Sequence, residues 1–294
     1  MGDTTTEMTE IELQEKCKSI ETFTRLVPTF SGNTSLTSLN LSWNNLNEQV
    51  AIMMADVLSS HPTLMKLNLG ANNIGFQGAK AIADALCSNT ILVDLNLKNN
   101  QIRREGTEVL AKALCLNTTL QRFNLSLNYI QDEGAEAIAS MLLVNKTLCS
   151  LHLDFNAITN PGAQALANSI EHHPCLTELD LWYNRIADQG AEAFAKMLVV
   201  NPTLTHLDLY SSKITQTGTR ALLDAVLQNS TLLSTNFQYD EEDENDQDMK
   251  KAIFQKTNTN KKQNQQYKTT ISTLFYLFYQ EMDQELLVSS LMKR

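Results

Sequence analysis

The chain has 294 residues, of which 43% are hydrophobic and 19% charged, and its formal net charge at pH 7 is −10. This composition is typical of a folded, soluble, acidic protein. The 23 basic residues against 33 acidic ones argue against a nucleic-acid binder, because affinity for phosphates depends on clustered Lys and Arg. We also expect no membrane span, since the longest apolar run, at residues 271–279, is far shorter than the roughly 20 residues that cross a bilayer.

The N-terminus has no apolar signal-peptide core, so we expect no export. Gly2 and Thr6 fit the loose myristoylation pattern, but the acidic Asp3 argues against acylation of Gly2. The five cysteines are odd in number and form no C-x-x-C pair, which predicts neither a disulfide framework nor a zinc site. A cytoplasmic protein without a metal or other cofactor is therefore expected. Residues 8–26 have the spacing of an amphipathic helix and predict a helical N-terminal cap over residues 1–35.

A 28-residue repeat organises the centre of the chain. Six glycines recur at this step, namely Gly78, Gly106, Gly134, Gly162, Gly190 and Gly218. Leucines recur with the same step and open the pattern L-x-x-L-x-L-x-x-N-x-[IL], as in Leu176, Leu179, Leu181, Asn184 and Ile186. Seven full copies and the start of an eighth fill residues 36–238 without an insertion, which indicates a repeat array.

The repeat resembles the leucine-rich repeats of the ribonuclease-inhibitor-like subclass, a pattern shared by NOD-like receptor repeat regions and Ran GTPase-activating proteins. The resemblance covers residues 36–238 and implies an α/β solenoid. Parallel strands would line its concave face and helices its convex face. A NACHT-type nucleotide domain is absent from the sequence, so the likeness to NOD-like receptors is limited to their repeats.

The residues of one repeat support this architecture. Leu179 and Leu181 alternate with polar neighbours, which predicts a strand with one buried face. An asparagine recurs where the chain leaves each strand and can satisfy backbone groups of the adjoining coil. Ser212 replaces it in the seventh repeat, where we expect looser packing. The glycine and its neighbouring alanines let the following helix start close to the sheet.

The C-terminal part differs in composition. Residues 239–268 begin with seven acids within residues 240–248 and continue as a Lys/Asn/Gln-rich stretch, which predicts a disordered linker. Residues 269–294 regain apolar residues with amphipathic spacing. They are interpreted as a helix that folds back as a C-terminal cap or stays partly disordered, or alternatively as a helix that binds a partner or a membrane surface.

Acidic and aromatic residues concentrate on the predicted concave face of the fifth to seventh repeats. Trp and Tyr are enriched in binding hot spots, and acids beside them would orient a basic partner. The candidate partner-binding residues are His152, Asp154, Phe155, Glu178, Asp180, Trp182, Tyr183, His206, Asp208 and Tyr210. Ribonuclease inhibitors, which the chain resembles, capture basic proteins with acidic and aromatic residues on this face.

Three alternatives to this function remain open, two of which concern these residues. The charged side chains could simply face solvent, and Phe155 could simply pack into the loop that follows its strand. The side chains of His152, Asp180, Asp208 and His206 are suitable metal ligands, although strand spacing alone does not bring them together. The third alternative follows from the resemblance to Ran GTPase-activating proteins, which combine such repeats with a C-terminal acidic stretch and act through polar loop residues. Its candidates are Arg103 and Arg104.

No catalytic motif stands out in the sequence: Gly70 and Gly75 have phosphate-loop spacing, but Phe76 and Gln77 replace its Lys and Ser/Thr. His61, His172 and His173 fall between helices and strands and are predicted to be surface residues. We therefore expect a monomeric, non-enzymatic module that binds a basic protein partner on its concave face.

Overall fold

The computed structural model describes residues 9–16, 19–210, 213–237, 247–248, 250–266 and 268. In these residues, nine three-residue strands form a single parallel sheet in chain order, and a helix follows each of the first eight. Each strand residue lies beside the residue 28 positions further along the chain, as Glu178 lies beside His206. The predicted α/β solenoid with 28-residue repeats is confirmed.

The strands are β1 (Glu10–Glu12), β2 (Ser38–Asn40), β3 (Lys66–Asn68), β4 (Asp94–Asn96), β5 (Arg122–Asn124), β6 (Ser150–His152), β7 (Glu178–Asp180), β8 (His206–Asp208) and β9 (Ser234–Asn236). The helices are α1 (Ile20–Gly32), α2 (Glu48–Ser60), α3 (Gly75–Leu86), α4 (Arg103–Leu114), α5 (Gln131–Val144), α6 (Asn160–Ile170), α7 (Asp188–Val200) and α8 (Gln216–Gln228). Among the described residues, no helix has the length and hydrophobicity of a membrane span.

The core lies between the sheet and the helices. Leu179 and Leu181 are buried, whereas Glu178 and Asp180 lie on the outer face of the sheet, as the alternation predicted. The periodic glycine is needed for space. A Cβ atom at Gly190 would come within 2.6 Å of Ile186 and 3.0 Å of Ala163 in the preceding repeat. A side chain there would force neighbouring repeats apart.

A ladder of buried asparagines joins the repeats. The Nδ2 of Asn156 donates to the carbonyls of Leu153 and, in the preceding repeat, Leu125, at 3.0 and 2.9 Å. Its Oδ1 accepts the N–H of Asn128 at 2.8 Å. The same pair of carbonyl bonds, one within the repeat and one to the preceding turn, is made by Asn44, Asn72, Asn100, Asn128 and Asn184.

A second ladder runs along the opposite ends of the repeats, where each helix returns to the sheet. Asn145 donates to the carbonyls of Leu114 and Asn117, and its Oδ1 accepts the N–H groups of Thr147 and Leu148. His173 takes the same place one repeat later and is 1% exposed. Its Nδ1 accepts from the N–H groups of Cys175 and Leu176, and its Nε2–H donates to the carbonyl of Asn145.

The prediction that His61 and His173 lie on the surface is therefore wrong. Both rings are buried, and His61 bonds through the same two ring nitrogens, to Leu64 and Phe30. A neutral imidazole offers an acceptor and a donor on opposite sides and can therefore replace the asparagine amide. His172 is exposed, as predicted.

The N-terminal cap differs from the predicted helix over residues 8–26. Residues 10–12 form β1, which pairs in parallel with β2, and the helix begins only at Ile20. Ser19 caps this helix by accepting the N–H of Thr22 at 3.1 Å. The buried side chains of Phe23 and Phe30 pack this helix against the first full repeat. The sheet therefore begins one strand earlier than the leucine pattern indicates.

The predicted disorder of the linker over residues 239–268 does not hold for residues 250–266, which are helical. Ile253 and Thr257 of this C-terminal helix are buried, and Asn260 donates to the carbonyls of Asn229 and Leu232 at 3.3 and 2.8 Å. Asn260 thus continues the second ladder, so the polar stretch is the helix of an eighth repeat. Its buried residues Ile253, Thr257 and Asn260 are spaced by four and three positions and therefore share one face, which composition alone does not reveal.

Several predictions lie outside the described residues. They concern acylation at Gly2, the looser packing at Ser212, the acidic residues 240–246 and the amphipathic segment 269–294.

We predict that Asn156→Ala lowers the free energy of unfolding by about 3 kcal/mol, because it leaves several buried backbone groups without partners. The exposed Asn168 on α6 provides the control, since Asn168→Ala should change stability by less than about 0.5 kcal/mol. Urea unfolding followed by circular dichroism measures both values. Equal stabilities of the two variants would contradict the structural role of the ladder.

Burial lowers the pKa of His173, and its Nδ1 must stay unprotonated to accept two backbone N–H groups. Since the folded pKa is below the unfolded value of about 6.5, stability should be full above that pH and decline below it. His173→Asn keeps the bonding pattern of the ladder without a titrating group. We expect its unfolding free energy, measured by urea titration between about pH 7 and pH 5, to depend less on pH than that of the native chain.

Candidate functional site

The predicted binding residues lie on and just beyond β6, β7 and β8. The side of the sheet that faces away from the helices carries His152, Glu178, Asp180, His206 and Asp208. The side chains of Trp182, Tyr183 and Tyr210 are exposed beyond the strands, and Phe155 is half-buried. We call the following nine residues the acidic-aromatic surface: His152, Phe155, Glu178, Asp180, Trp182, Tyr183, His206, Asp208 and Tyr210.

Asp154, the tenth predicted residue, is only 4% exposed and therefore does not belong to this surface. Its carboxylate accepts a hydrogen bond from the hydroxyl of Ser126 and lies 3.6 Å from the Nζ of Lys98. A buried carboxylate needs such partners. The prediction that Asp154 is a partner-binding residue does not agree with this burial, and its role is to tie three neighbouring turns together.

Asp180 and Asp208 hold the turns that follow their strands. The Oδ1 of Asp180 accepts the N–H of Trp182 at 2.9 Å, and Asp208 accepts that of Tyr210 at the same distance. In four earlier strands a neutral asparagine makes the equivalent bond, namely Asn40, Asn68, Asn96 and Asn124. The turn therefore needs an acceptor oxygen but no charge, and the negative charges of Asp180 and Asp208 are additional to its requirements.

His152 lies between the acids of the neighbouring strand. Its Nδ1 is 3.5 Å from Oδ2 of Asp180, and its Nε2 is 3.7 Å from Oε1 of Glu178. The contact with Asp180 raises the pKa of His152 above its ordinary value, helped by the charge of Glu178 and opposed by partial burial. Ser150 adds to this cluster, because its hydroxyl donates to Glu178 at 2.7 Å and lies 3.2 Å from Nε2 of His152.

Asp208 lies at the same strand position as Asp180, one strand further along the sheet. Partial burial raises the pKa of Asp208, with a smaller contribution from the charges of Asp180 and Asp154, against the N–H of Tyr210 and the amide of Asn236. The Nδ2 of Asn236 donates to its Oδ2 at 3.2 Å. Within the described part of the chain, Asp208 forms no ion pair.

Three aromatic rings form a cluster beside these acids, in the turns that follow β6 and β7. Phe155 stacks on Tyr183 with centroids 4.4 Å apart and meets Trp182 edge-on at 4.8 Å. Phe155 and Tyr183 have φ angles of 56° and 55°, in the left-handed region that side chains other than glycine, asparagine and aspartate rarely adopt. The turn after the strand imposes this conformation, because the equivalent residues Ala71, Asn99 and Leu127 have φ angles of 53°, 55° and 58°. Trp182 and Tyr183 keep large exposed faces.

The structure brings together a different set of potential metal ligands from the one considered from the sequence. Ligand atoms of His152, Asp154 and Asp180 lie within 4.8 Å of one another, whereas His206 and Asp208 are not in this group. The ammonium of Lys98 close to Asp154 opposes a further cation at this position.

The two arginines considered for GTPase activation lie elsewhere, at the start of α4. Both are exposed and border an open groove of about 790 Å³ together with Tyr129. The Nε of Arg104 is 3.0 Å from Glu105, and its Nη1 is 3.3 Å from Glu133. These contacts raise the pKa of the guanidinium of Arg104, the one to Glu105 most.

Sequence reasoning missed four polar residues that support the surface: Ser150, Ser126, Lys98 and Asn236. Each is one or two repeats away from the group that it contacts, at a distance of 28 or 56 positions along the chain. Aligning the repeats and comparing the same position in neighbouring strands would have identified the 28-residue pairs, because the register keeps that spacing.

One comparison with known protein families agrees with the architecture. The family model described as "Leucine Rich repeat" matches six segments, residues 32–48, 60–83, 116–139, 144–167, 172–195 and 200–223. Among curated proteins, no sequence matches the chain significantly.

Two solved structures show partial similarity. One is the actin-binding site 2 of leiomodin-1, with 20% identity, coverage of 67% of this chain and 97% of that one, and a TM-score of 0.43. The other is the C-terminal domain of tropomodulin from Caenorhabditis elegans, with 14% identity, coverage of 64% and 97%, and a TM-score of 0.43.

We predict that Asp180→Asn lowers the pKa of His152, because the contact with Asp180 is the largest cause of its elevation. Asparagine keeps the bond to the N–H of Trp182, as Asn124 does for Ser126, so the fold should be retained. Nuclear magnetic resonance titration of the His152 ring measures the change. Asp94→Asn on β4 is the control and should leave this pKa unaltered; an unchanged value in Asp180→Asn would contradict the assignment.

Proposed function

The chain is a leucine-rich repeat protein, and we propose that it is a non-enzymatic module that binds a basic protein partner through the acidic-aromatic surface. Its 28-residue repeats, each with a full helix, are those expected of the ribonuclease-inhibitor-like subclass. In this proposal the module acts as a monomer. Its place is the cytoplasm, where free thiols such as Cys87, Cys115, Cys149 and Cys175 are stable.

One observation carries the proposal: the charges of Asp180 and Asp208 are not required by the turns that these residues hold. A neutral asparagine suffices in four other strands of the same sheet. Two carboxylates on adjacent strands repel each other, and their repulsion contributes to the raised pKa of Asp208. A basic partner would relieve this repulsion, so the surface is complementary to positive charge.

The aromatic residues add contact area to this charge. The exposed fractions are 39% for Trp182, 58% for Tyr183 and 38% for Tyr210. Large aromatic side chains with a polar tip contribute strongly to binding when a partner buries them. The neighbouring Phe155 restrains the rings of Trp182 and Tyr183, which reduces the conformational entropy lost on binding.

Support for the alternative, a GTPase-activating protein of the Ran type, is confined to Arg103 and Arg104. The carboxylates of Glu105 and Glu133 neutralise Arg104, whereas a residue that stabilises a phosphoryl-transfer transition state must direct its charge at the phosphate. The interaction module therefore accounts for more of the charged and aromatic surface than this alternative does.

We predict that exchanging residues between repeats abolishes partner capture without unfolding the chain. The variant combines Asp180→Asn, Asp208→Asn, Trp182→Ser and Tyr210→Ser, which introduces the residue types of the equivalent positions 124 and 126. In a pull-down from cytosolic lysate, basic proteins retained by the native chain should be absent from the eluate of this variant. Their retention should weaken as salt rises, because salt screens exposed charges.

The matched control is Trp43→Asn with Asp94→Asn, which removes one aromatic residue and one acid from the same face outside the acidic-aromatic surface. Trp43 has a φ angle of 61°, and Asn99 occupies the equivalent left-handed position, so asparagine fits there. The control should retain the same proteins as the native chain. Equal capture by the exchange variant would contradict the proposed function.

A further inference from the structure

The arrangement of Asp180 and Asp208 indicates which basic side chain the partner presents; this inference rests on the proposed function. Each carboxylate uses Oδ1 for the turn, and Oδ2 faces other polar groups, His152 for Asp180 and Asn236 for Asp208. Neighbouring strands are about 4.8 Å apart, a separation that one planar group with several donors can span. A guanidinium has five N–H donors in a rigid plane, whereas an ammonium is a compact point charge.

The aromatic side chains favour the same group. Trp182 follows Asp180 by two residues, and Tyr210 follows Asp208 by the same step. Each aromatic residue therefore lies in the turn that the acid before it holds. Both rings are more than one-third exposed and can receive a flat cation. Arginine combines stacking on aromatic faces with bidentate bonds to carboxylates, and lysine provides only the charge.

His152 already occupies one side of this acidic group. It contacts Glu178 and Asp180 on β7, while Asp154 adds negative charge from the turn after β6 and Lys98 lies beyond Asp154. β8 contributes His206 at the position beside Glu178, and β5 contributes the uncharged Asn124 at the position beside His152. A protonated His152 and a cation from a partner would therefore compete for Asp180.

The geometry points to an arginine-binding site in which the guanidinium of a partner lies between Asp180 and Asp208, against Trp182 and Tyr210, and displaces the proton of His152. Binding then exchanges one cation for another at the same carboxylate. The proton leaves from the imidazole to the buffer, and no covalent bond other than this N–H bond changes. Affinity for arginine consequently falls when the pH drops and His152 keeps its proton.

Short peptides test the preference for arginine directly. In a Trp43→Asn background Trp182 is the sole tryptophan, so its fluorescence reports on this site. We expect hepta-arginine to bind about 10-fold more tightly than hepta-lysine at low salt, and hepta-citrulline, which has the same shape but no charge, to bind weakest. Adding Asp180→Asn and Asp208→Asn should remove the preference, whereas Asp94→Asn should keep it.

The pH dependence tests the competition with His152. The affinity of hepta-arginine should fall about 10-fold between roughly pH 8 and pH 5.5, and calorimetry in two buffers of different ionisation enthalpy should detect proton release. His152→Gln should abolish both effects, whereas His172→Gln, which changes an exposed histidine outside the acidic-aromatic surface, should preserve them.

Equal affinities for the arginine and lysine peptides would overturn recognition of the guanidinium, and binding by the native site that is independent of pH would overturn the exchange with His152. These outcomes are distinct from failure of the proposed function. If capture depends on the exchanged residues but the peptides show no preference, the inference fails alone. If capture does not depend on them, the proposed function fails and this inference with it.

Discussion

The buried asparagine ladder is the constraint on which the rest of the structure depends. Each asparagine, such as Asn156, bonds to carbonyls of its own turn and of the preceding one, and it accepts an N–H from that preceding turn. A residue inserted into one repeat would separate a carbonyl from its donor in a buried site. The ladder therefore fixes the step of 28 residues, and the constant step aligns the strand residues into rows across the sheet.

These rows explain how the candidate site arises from residues that are distant in sequence. Glu178, Asp180 and His152 meet because equivalent positions of consecutive repeats are neighbours in the sheet. The residue types can vary more at the last position of each strand. Asparagine and aspartate both provide the oxygen that accepts the N–H of the following turn. At that position the backbone requires only an acceptor oxygen, so charge can vary from repeat to repeat at little cost in stability.

The sequence predicted the repeat, the direction of the strands and the exposed rows, since all of these follow from period and alternation. The predictions from sequence are wrong where one residue type can serve two structural roles, one at the surface and one in the interior. Histidine between elements was interpreted as a surface residue, whereas His173 reproduces the hydrogen bonds of an asparagine. The polar composition of residues 250–266 predicts disorder, yet these residues form a helix. Burial of Ile253 and the hydrogen bond of Asn260 to Leu232 hold this helix against the preceding repeat. Asp154 was assigned to the surface because burial depends on contacts with Ser126 and Lys98 in other repeats.

The C-terminal helix differs from the earlier helices at its ladder residue, Asn260. Elsewhere the chain turns at the asparagine that ends the helix, and its Oδ1 accepts N–H groups of that turn, as at Asn229. At Asn260 the helix continues to residue 266, and within the described residues the buried Oδ1 has no donor. The second ladder therefore reaches Asn260 without the turn that the earlier asparagines hold. Gene duplication can lengthen such an array only by whole 28-residue units, because any other insertion would break both ladders.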